Sequence, residues 1–218
     1  MPHNENIVPI SLHNIEIVDI KDEHIEQVAD AHLQAFPGYL NSQIGKGYIV
    51  KFIQWFSSSD QATAICAVNI NTNRVQGYLV GAPLGYTSLL TRHIFWSAFW
   101  GAVFHPWVFF KPQYFRVLMA RLGLFQSQTG QSLSPKLPFP TMSLVGIGVI
   151  PSARGQNIGQ ALGQMFEERA IAQGVKSLRL SVYPDNAIAC NLYKKMGWKP
   201  YSESKTSSGA IYYYKVLL

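Results

Sequence analysis

The sequence predicts a mixed α/β fold in which helices flank a sheet. Short runs alternate apolar and polar residues, as in Ile15–Ile20, which is typical of half-buried strands. Other segments place apolar residues at helical spacing, as at Ile158, Leu162 and Phe166. The two kinds of segment interleave along the chain, beginning with a strand and then a helix.

The predicted elements follow from these two periodicities and from the turn residues between them. Helices are predicted from Asp22, over Ile44–Phe56, and at Asn157–Gln173 and Asn186–Met196. Strands are predicted at 15–20, 62–70, 74–82, 142–150, 177–183 and 210–218. The second and third strands are joined by Asn-Thr-Asn-Arg, which has the turn chemistry of a hairpin.

Composition limits the class of protein. With 218 residues, of which 48% are hydrophobic, the chain can bury its core as one domain, 1–218. Two cysteines, Cys66 and Cys190, cannot supply a disulfide framework, and no Cys/His cluster has the spacing of metal ligands, so we expect no metal. The first residues lack a basic region followed by an apolar run, so we expect a cytoplasmic protein.

Charge is distributed unevenly. The net charge is +6, and no Asp or Glu lies between Asp60 and Glu167, a stretch that contains seven basic residues, Arg74, Arg92, Lys111, Arg116, Arg121, Lys136 and Arg154. A positive field of this kind attracts nucleic acid, phospholipid head groups or a small phosphorylated ligand. Because the charges are spread out, ordinary surface basicity explains them equally well. No nucleic-acid recognition motif accompanies them.

An aromatic-rich segment follows the hairpin and forms an insertion at about 86–140. No residue from Ile94 to Phe110 carries a fixed charge. The length of this uncharged run is at the lower limit for a helix that crosses a bilayer. Pro106 interrupts the run, and the flanking stretches read as parts of one sheet, so we predict two short helices broken near His105-Pro106. Their Trp and Phe faces are expected to be partly core and partly a binding or membrane-interfacial surface.

The run from Val149 to Ala170 places a Gly-containing loop between a strand and a helix. Unpaired backbone N–H groups and the helix dipole at such a junction favour an anion such as a pyrophosphate. Gly155 and Gly159 allow close approach, Asn157 tolerates a positive φ, and Arg154 adds a cation. Helix capping with tight packing is the alternative. The loop lacks the Gly-Lys-Ser/Thr ending of nucleoside triphosphatases and the acidic ribose partner of dinucleotide folds, so another anionic cofactor is indicated.

These residues resemble the GNAT superfamily of acetyl-CoA-dependent N-acetyltransferases. The family motif Gln/Arg-x-x-Gly-x-Gly/Ala is similar to Arg154-Gly155-Gln156-Asn157-Ile158-Gly159, with Asn157 in place of the usual Gly. A second family pattern is matched by Asn186, Ala189, Leu192, Tyr193, Gly197 and Trp198. The resemblance implies a GNAT-like mixed, mostly antiparallel sheet of about seven strands flanked by helices.

The resemblance also implies a site. The pyrophosphate of acetyl-CoA is expected on the amides of Gly155, Gln156, Asn157, Ile158, Gly159 and Gln160, and the pantetheine along Ile147 and Val149. The Ile147 N–H group would polarise the thioester carbonyl, Tyr193 would protonate the leaving sulfur, and Asn186 would hold the pantetheine arm. Tyr193 could instead only pack in the core, and Asn186 could only cap its helix.

The general base and the acceptor are less defined. His105, Ser143, Glu26, Asp30 or a water chain could serve as the base, and the residues select none of them. The lack of carboxylates favours a neutral or anionic small-molecule amine, such as an amino sugar linked to a nucleotide or phosphate, over a polyamine. Basic residues would bind the phosphate, and the rings of Trp96, Trp100, Trp107 or neighbouring Tyr and Phe residues would stack on the sugar.

Three further questions stay open at this point. The alternative function is a non-catalytic acyl-CoA-binding protein at a membrane surface, which would use the aromatic insertion as its interface. A peripheral membrane contact of the enzyme and a homodimer paired through the last strand are also compatible with the sequence.

Overall fold

The computed structural model describes residues 12, 14–104, 137–205 and 209–217. Seven strands form one sheet in the order β1-β2-β3-β4-β5-β7-β6. They are β1 (Ile15–Asp19), β2 (Thr63–Asn69), β3 (Arg74–Pro83), β4 (Thr141–Val149), β5 (Ser177–Val182), β6 (Lys199–Lys205) and β7 (Ile211–Val216). Neighbouring strands run antiparallel except β4 and β5, which are parallel. The predicted mixed, mostly antiparallel sheet is therefore confirmed.

Six α-helices lie within the described ranges: α1 (Asp22–Ala35), α2 (Leu40–Ile44), α3 (Lys46–Ser57), α4 (Tyr86–Phe104), α5 (Ile158–Ala172) and α6 (Ala187–Lys195). Helix α1 has acidic residues in its first turn, where their negative charge interacts favourably with the positive end of the helix dipole. The helix ends shortly before Pro37, which could not continue it. The predicted helix over Ile44–Phe56 is divided into α2 and α3. The division falls at Gly45, whose φ of 112° interrupts helical geometry, and apolar periodicity alone does not reveal such a break.

The described part of the segment after the hairpin is one helix, α4, which begins eight residues before Ile94 and continues to Phe104, just before the predicted break. It agrees with the first of the two predicted helices. His105-Pro106, the second predicted helix and Trp107 lie outside the described residues. Among the helices that the structure describes, α4 included, none combines the length and apolarity needed to cross a membrane.

The core is divided into two clusters, one on each face of the sheet. On one face α1, α3 and α4 pack around residues such as Val28, Ile49 and Tyr78. On the other face α5 and α6 pack around Leu162 and Phe166. Strands β2 and β3 are buried almost throughout because helices cover both of their faces. Both cysteines are buried and free.

The sequence did not locate strand β6. Its residues, Lys-Pro-Tyr-Ser-Glu-Ser-Lys, begin close to a proline and lack apolar alternation. Such a strand is tolerated at a sheet edge, where β6 pairs with β7 alone. Its position at the edge explains why the sequence pattern does not show it.

Candidate active site

Strands β4 and β5 separate soon after they begin. They pair only over Thr141–Ser143 and Ser177–Arg179. Beyond this point β4 continues beside β3 and β5 continues beside β7. A groove of about 630 Å³ opens along the second half of β4, between the first turn of α5 and the exposed face of α6. The groove is therefore built into the sheet rather than added to its surface.

The backbone of β4 offers hydrogen-bonding groups to this gap. The Ile150 N–H group donates to the Gln76 carbonyl at 2.9 Å, and bonded pairs alternate along an antiparallel ladder, so Tyr78 and Gly148 are the next bonded pair. The N–H and C=O groups of Ile147 and Val149 consequently point away from β3, into the gap. In agreement, the Val149 carbonyl accepts a bond from Arg154 Nε at 3.3 Å.

The loop after β4 has the backbone conformation that its residues allow. Gly155 has a φ of 81° and Asn157 a φ of 60°, both in the left-handed region that glycine and asparagine tolerate best. The first bond within α5 runs from the Ala161 N–H group to the Asn157 carbonyl at 3.0 Å. The preceding amides of Ile158, Gly159 and Gln160 therefore have no partner within the helix and lie at its positive end. This geometry suits an anion.

Nine of the eleven residues predicted to bind the cofactor line this groove: Ile147, Val149, Arg154, Gly155, Asn157, Ile158, Gly159, Gln160 and Asn186. Gln156 is exposed and stands outside the lining, and so does Tyr193. The structure therefore brings most of the predicted loop and strand residues together around one groove, and their binding of the cofactor stays a prediction.

Arg154 connects the loop to helix α1. Its Nη2 group donates to the Ala35 carbonyl at 3.4 Å, while its Nε group bonds Val149 as described above. Ala35 is the last residue of α1, so the cation also lies at the negative end of that helix. The arginine is thus held at the wall of the groove with some of its N–H donors unused by these two bonds.

Asn186 both caps α6 and borders the groove. Its Oδ1 atom accepts a hydrogen bond from the Ala189 N–H group at 3.1 Å, and its Nδ2 atom donates to the Tyr39 hydroxyl at 3.4 Å. Asn186 therefore caps helix α6 through its side-chain oxygen, as the capping interpretation predicts. The amide nitrogen faces the tyrosine on the opposite wall.

Tyr193 is packed inside the protein. Only 5% of its surface is exposed, and its ring centroid lies 5.9 Å from that of Trp198 and 6.0 Å from that of Tyr213. Burial, with smaller contributions from Cys190 and Tyr39, raises the pKa of its hydroxyl. The hydroxyl therefore keeps its proton at neutral pH. Its role as a proton donor stays a prediction.

A buried pair that the sequence did not reveal lies beside β4. The His32 Nδ1 atom is 2.6 Å from the Tyr78 hydroxyl oxygen. Burial lowers the pKa of His32 to about 4 and raises that of Tyr78, so both are neutral near pH 7. A Cβ atom at Gly148 would stand 2.8 Å from the Tyr78 ring and 2.9 Å from the Phe36 ring. The pair is separated by 46 positions in the chain, so no local pattern could have found it.

Other parts of the groove wall were also missed. Phe36 and Tyr39 approach from the end of α1, and Ile188, Asn191 and Lys195 from α6. The α6 residues lie three to four positions apart, so the helical face defined by Asn186 could have indicated them. The two aromatic residues lie on either side of Pro37, and no sequence pattern there indicated that they border a groove.

The candidate bases are placed as follows. Glu26 and Asp30 lie on α1 and both form ion pairs with Lys46, at 3.0 and 2.6 Å. The Ser143 hydroxyl oxygen accepts a hydrogen bond from Arg179 Nε at 3.3 Å. His105 lies outside the described residues. The two carboxylates and the serine are thus each held by a cationic side chain, and none of the three lines the groove.

Comparisons with known proteins agree with this architecture. The chain matches the family described as "Acetyltransferase (GNAT) family" over residues 27–198. No curated protein matches it significantly in sequence. Among solved structures it resembles an acetyltransferase of the GNAT family from Staphylococcus aureus Mu50, with a TM-score of 0.59 and 13% identity, covering 94% of this chain and 99% of the other.

Two further structures are similar at comparable levels. One is the PaiA N-acetyltransferase from Thermoplasma acidophilum, solved with coenzyme A (TM-score 0.54, 13% identity, 94% of this chain and 100% of that one). The other is the polyamine N-acetyltransferase of Drosophila melanogaster (TM-score 0.57, 14% identity, 93% and 100%). At these identities the likeness concerns the fold alone.

The fold and the family match together define an acyltransferase. The chain belongs to the GNAT acetyltransferase family, whose members use acetyl-CoA to acetylate amines. The resemblance inferred from the two sequence motifs is confirmed.

Proposed function

We propose that this protein transfers the acetyl group of acetyl-CoA to the primary amine of a neutral or anionic small molecule, such as an amino sugar linked to a nucleotide or phosphate. The observation that supports it best is the groove that opens along the second half of β4, after β4 and β5 have separated. One end of the groove presents the unpaired amides of α5, and its wall presents the Ile147 N–H group.

In the proposed reaction the diphosphate of the coenzyme binds the amides from Gly155 to Gln160, and pantetheine lies along Ile147 and Val149 as a short extra strand. The Ile147 N–H group stabilises the negative charge that develops on the thioester oxygen. The acceptor nitrogen attacks the carbonyl carbon, the C–S bond breaks, and Tyr193 gives its proton to the sulfur. Tyr193 then recovers a proton from the solvent or the acceptor.

The choice of acceptor rests on charge and on aromatic surface. Arg154 and Lys195 border the groove, while Asp185 is the one acidic residue among its described lining residues. Helix α4, within the acid-free stretch, exposes Trp96 and Trp100 by 66% and 52%. Carboxylates that would attract a polyamine are scarce, and rings suited to sugar stacking are available.

The test measures CoA thiol release from acetyl-CoA with three acceptors: a nucleotide-linked amino sugar, glucosamine 6-phosphate and spermidine. We expect the two anionic acceptors to be preferred. Preference for spermidine would refute the charge argument. Tyr193→Phe should lower kcat while leaving CoA affinity unchanged by calorimetry, and Tyr213→Phe, which changes the equally buried tyrosine packed against Tyr193, is the matched control. Equal kcat values for the two variants would remove Tyr193 from the mechanism.

We also propose that α4 contacts a membrane surface peripherally. Leu89, Trp96 and Trp100 recur at helical spacing and are more than half exposed, and exposed Arg92 adds positive charge to the same helix. Flotation with vesicles containing anionic lipid should recover the wild-type protein but not Leu89→Ser/Trp96→Ser. Equal flotation of both proteins would contradict the contact. Acetyl transfer by the vesicle-bound protein distinguishes a peripheral enzyme from a non-catalytic sensor.

A further inference from the structure

We infer that Arg179 and Tyr212 form a subsite for the anionic group of the acceptor, a phosphate or a carboxylate. This inference deepens the proposed function and rests on it. Arg179 lies on β5 opposite Ser143, the last residue of β4 that pairs before the two strands separate. The arginine therefore stands at the closed end of the gap, beyond the position proposed for the thioester.

Strand alternation fixes the face that carries this arginine. Leu178, Leu180 and Val182 belong to the core cluster under α5 and α6, so Arg179 lies on the opposite face. That is also the face on which α1 and α3 pack against β2, β3 and β4. Arg179 itself is only partly buried. An acceptor that enters on this face meets both β4 and the guanidinium group.

Two contacts that the structure describes orient the guanidinium group. Its carbon lies 5.8 Å from the centre of the Tyr212 ring, and its Nε group donates to the Ser143 hydroxyl. Among the acidic residues whose side chains the structure describes, none forms an ion pair with it. A guanidinium group has five N–H donors, and one is used by Ser143. The remaining N–H donors can form two parallel hydrogen bonds to the oxygen atoms of a phosphate or a carboxylate.

The neighbouring surface continues the same chemistry. On β7, Tyr214 lies directly opposite Arg179, and on β6 Tyr201 pairs with Tyr212. The rings of Tyr201 and Tyr214 meet edge to face at 6.5 Å. Lys199, opposite Tyr214, adds a second exposed cation. A partly exposed face with two cations and three tyrosines offers charge pairing for an anion and stacking for a ring.

The distances suit a compact acceptor. Ile147 is four residues beyond Ser143, about 13 Å along an extended strand, and the register shift in β4 shortens this distance. The arginine side chain and the thioester both extend into the intervening space. A hexosamine phosphate, with its amine and phosphate on opposite sides of one ring, has the size to reach both.

The test compares two acceptors that differ only in the anion, glucosamine 6-phosphate and glucosamine. We expect the wild-type protein to have the higher kcat/KM for the phosphorylated sugar, mainly through a lower KM. Arg179→Gln should reduce that preference about tenfold or more, and Arg179→Lys should restore part of it. Arg74→Gln, which removes an exposed arginine at the start of β3, should leave the preference unchanged. An unchanged preference in Arg179→Gln would overturn the inference.

A second measurement does not depend on turnover. Glucosamine 6-phosphate is titrated into the CoA-loaded wild-type protein while the side-chain Nε–H signal of Arg179, assigned from its loss in Arg179→Lys, is followed by NMR. A shift of that signal that inorganic phosphate reproduces at higher concentration supports the subsite. A silent signal overturns it. Coenzyme A binding without acetyl transfer to any amine would refute the proposed function instead.

Discussion

The grip of the loop on coenzyme A can be tested at Gly155. Its φ of 81° lies in a region that alanine adopts only with strain, and a Cβ atom placed there would meet no atom within 4 Å. Gly155→Ala therefore changes the backbone preference without creating a clash. Because Gly155 lies in an exposed loop, we expect the variant loop to relax in the free protein. Binding must then restore the original conformation.

The size of the effect follows from the strain. A left-handed conformation costs an L-residue about 1–2 kcal/mol. At about 1.4 kcal/mol for each factor of ten, the dissociation constant of coenzyme A should rise about 5- to 30-fold. Isothermal titration calorimetry measures this constant, and urea unfolding shows whether the variant remains folded.

Gly174 supplies the matched control. It has a φ of 74°, its Cβ position is equally open, and it lies in the turn after α5, away from the groove. Gly174→Ala should lose about 1 kcal/mol of unfolding free energy with its coenzyme A affinity unchanged. If the folded Gly155→Ala protein binds within twofold of the wild type, the loop amides are not the anion site.

Three further predictions concern stability. Gly81→Ala should lower the free energy of unfolding by about 2–3 kcal/mol, because its Cβ atom would lie 2.3 Å from the ring of the fully buried Phe166. Glu167→Gln should cost about 2 kcal/mol, because Lys215, 2.7 Å from the carboxylate and mostly buried, would lose its charge partner. Lowering the pH from 6.5 to 4 should cost up to about 3 kcal/mol through His32, since the unfolded chain takes up its proton at pH 6.5 and the folded protein at about 4. Denaturant titrations, repeated across this pH range for wild type and His32→Gln, measure all three.

Each prediction has a control in the same chain. Gly47→Ala introduces a Cβ atom into open space within α3 and should be neutral or slightly stabilising. Glu168→Gln changes the exposed neighbour of Glu167. His93→Gln removes an exposed histidine, and its acid-side loss of stability should match the wild type. If His32→Gln also matches the wild type, the buried histidine does not cause that loss.

The loop and the groove could be predicted because local chemistry determines them. Gly155, Asn157 and the start of α5 lie within a few residues of one another. The positive φ values of this loop can be predicted from the sequence because Gly and Asn are the residue types that adopt them most easily. The α6 wall could be placed through Asn186 for the same reason. The break at Gly45 was missed because apolar spacing continues across it.

The features that could not be predicted depend on tertiary contact. His32 and Tyr78 come together only when α1 packs on β3, and the place of Arg179 at the end of the β4–β5 ladder follows only from where these strands part. Strand β6 is held by its pairing with β7 and carries little apolar pattern of its own. Sequence periodicity records which face is buried, but it does not record which strands stop pairing.

The short pairing between β4 and β5 has a consequence for how the protein holds together. Three residue pairs connect strands β1 to β4 with strands β5 to β7 inside the sheet. A pantetheine arm bound in the gap between β4 and β5 would add hydrogen bonds where the two strands no longer pair. The cosubstrate would therefore stabilise the sheet that binds it. Amide hydrogen exchange in β4 and β5 should then slow when coenzyme A is added, and the smallest change is expected in β1.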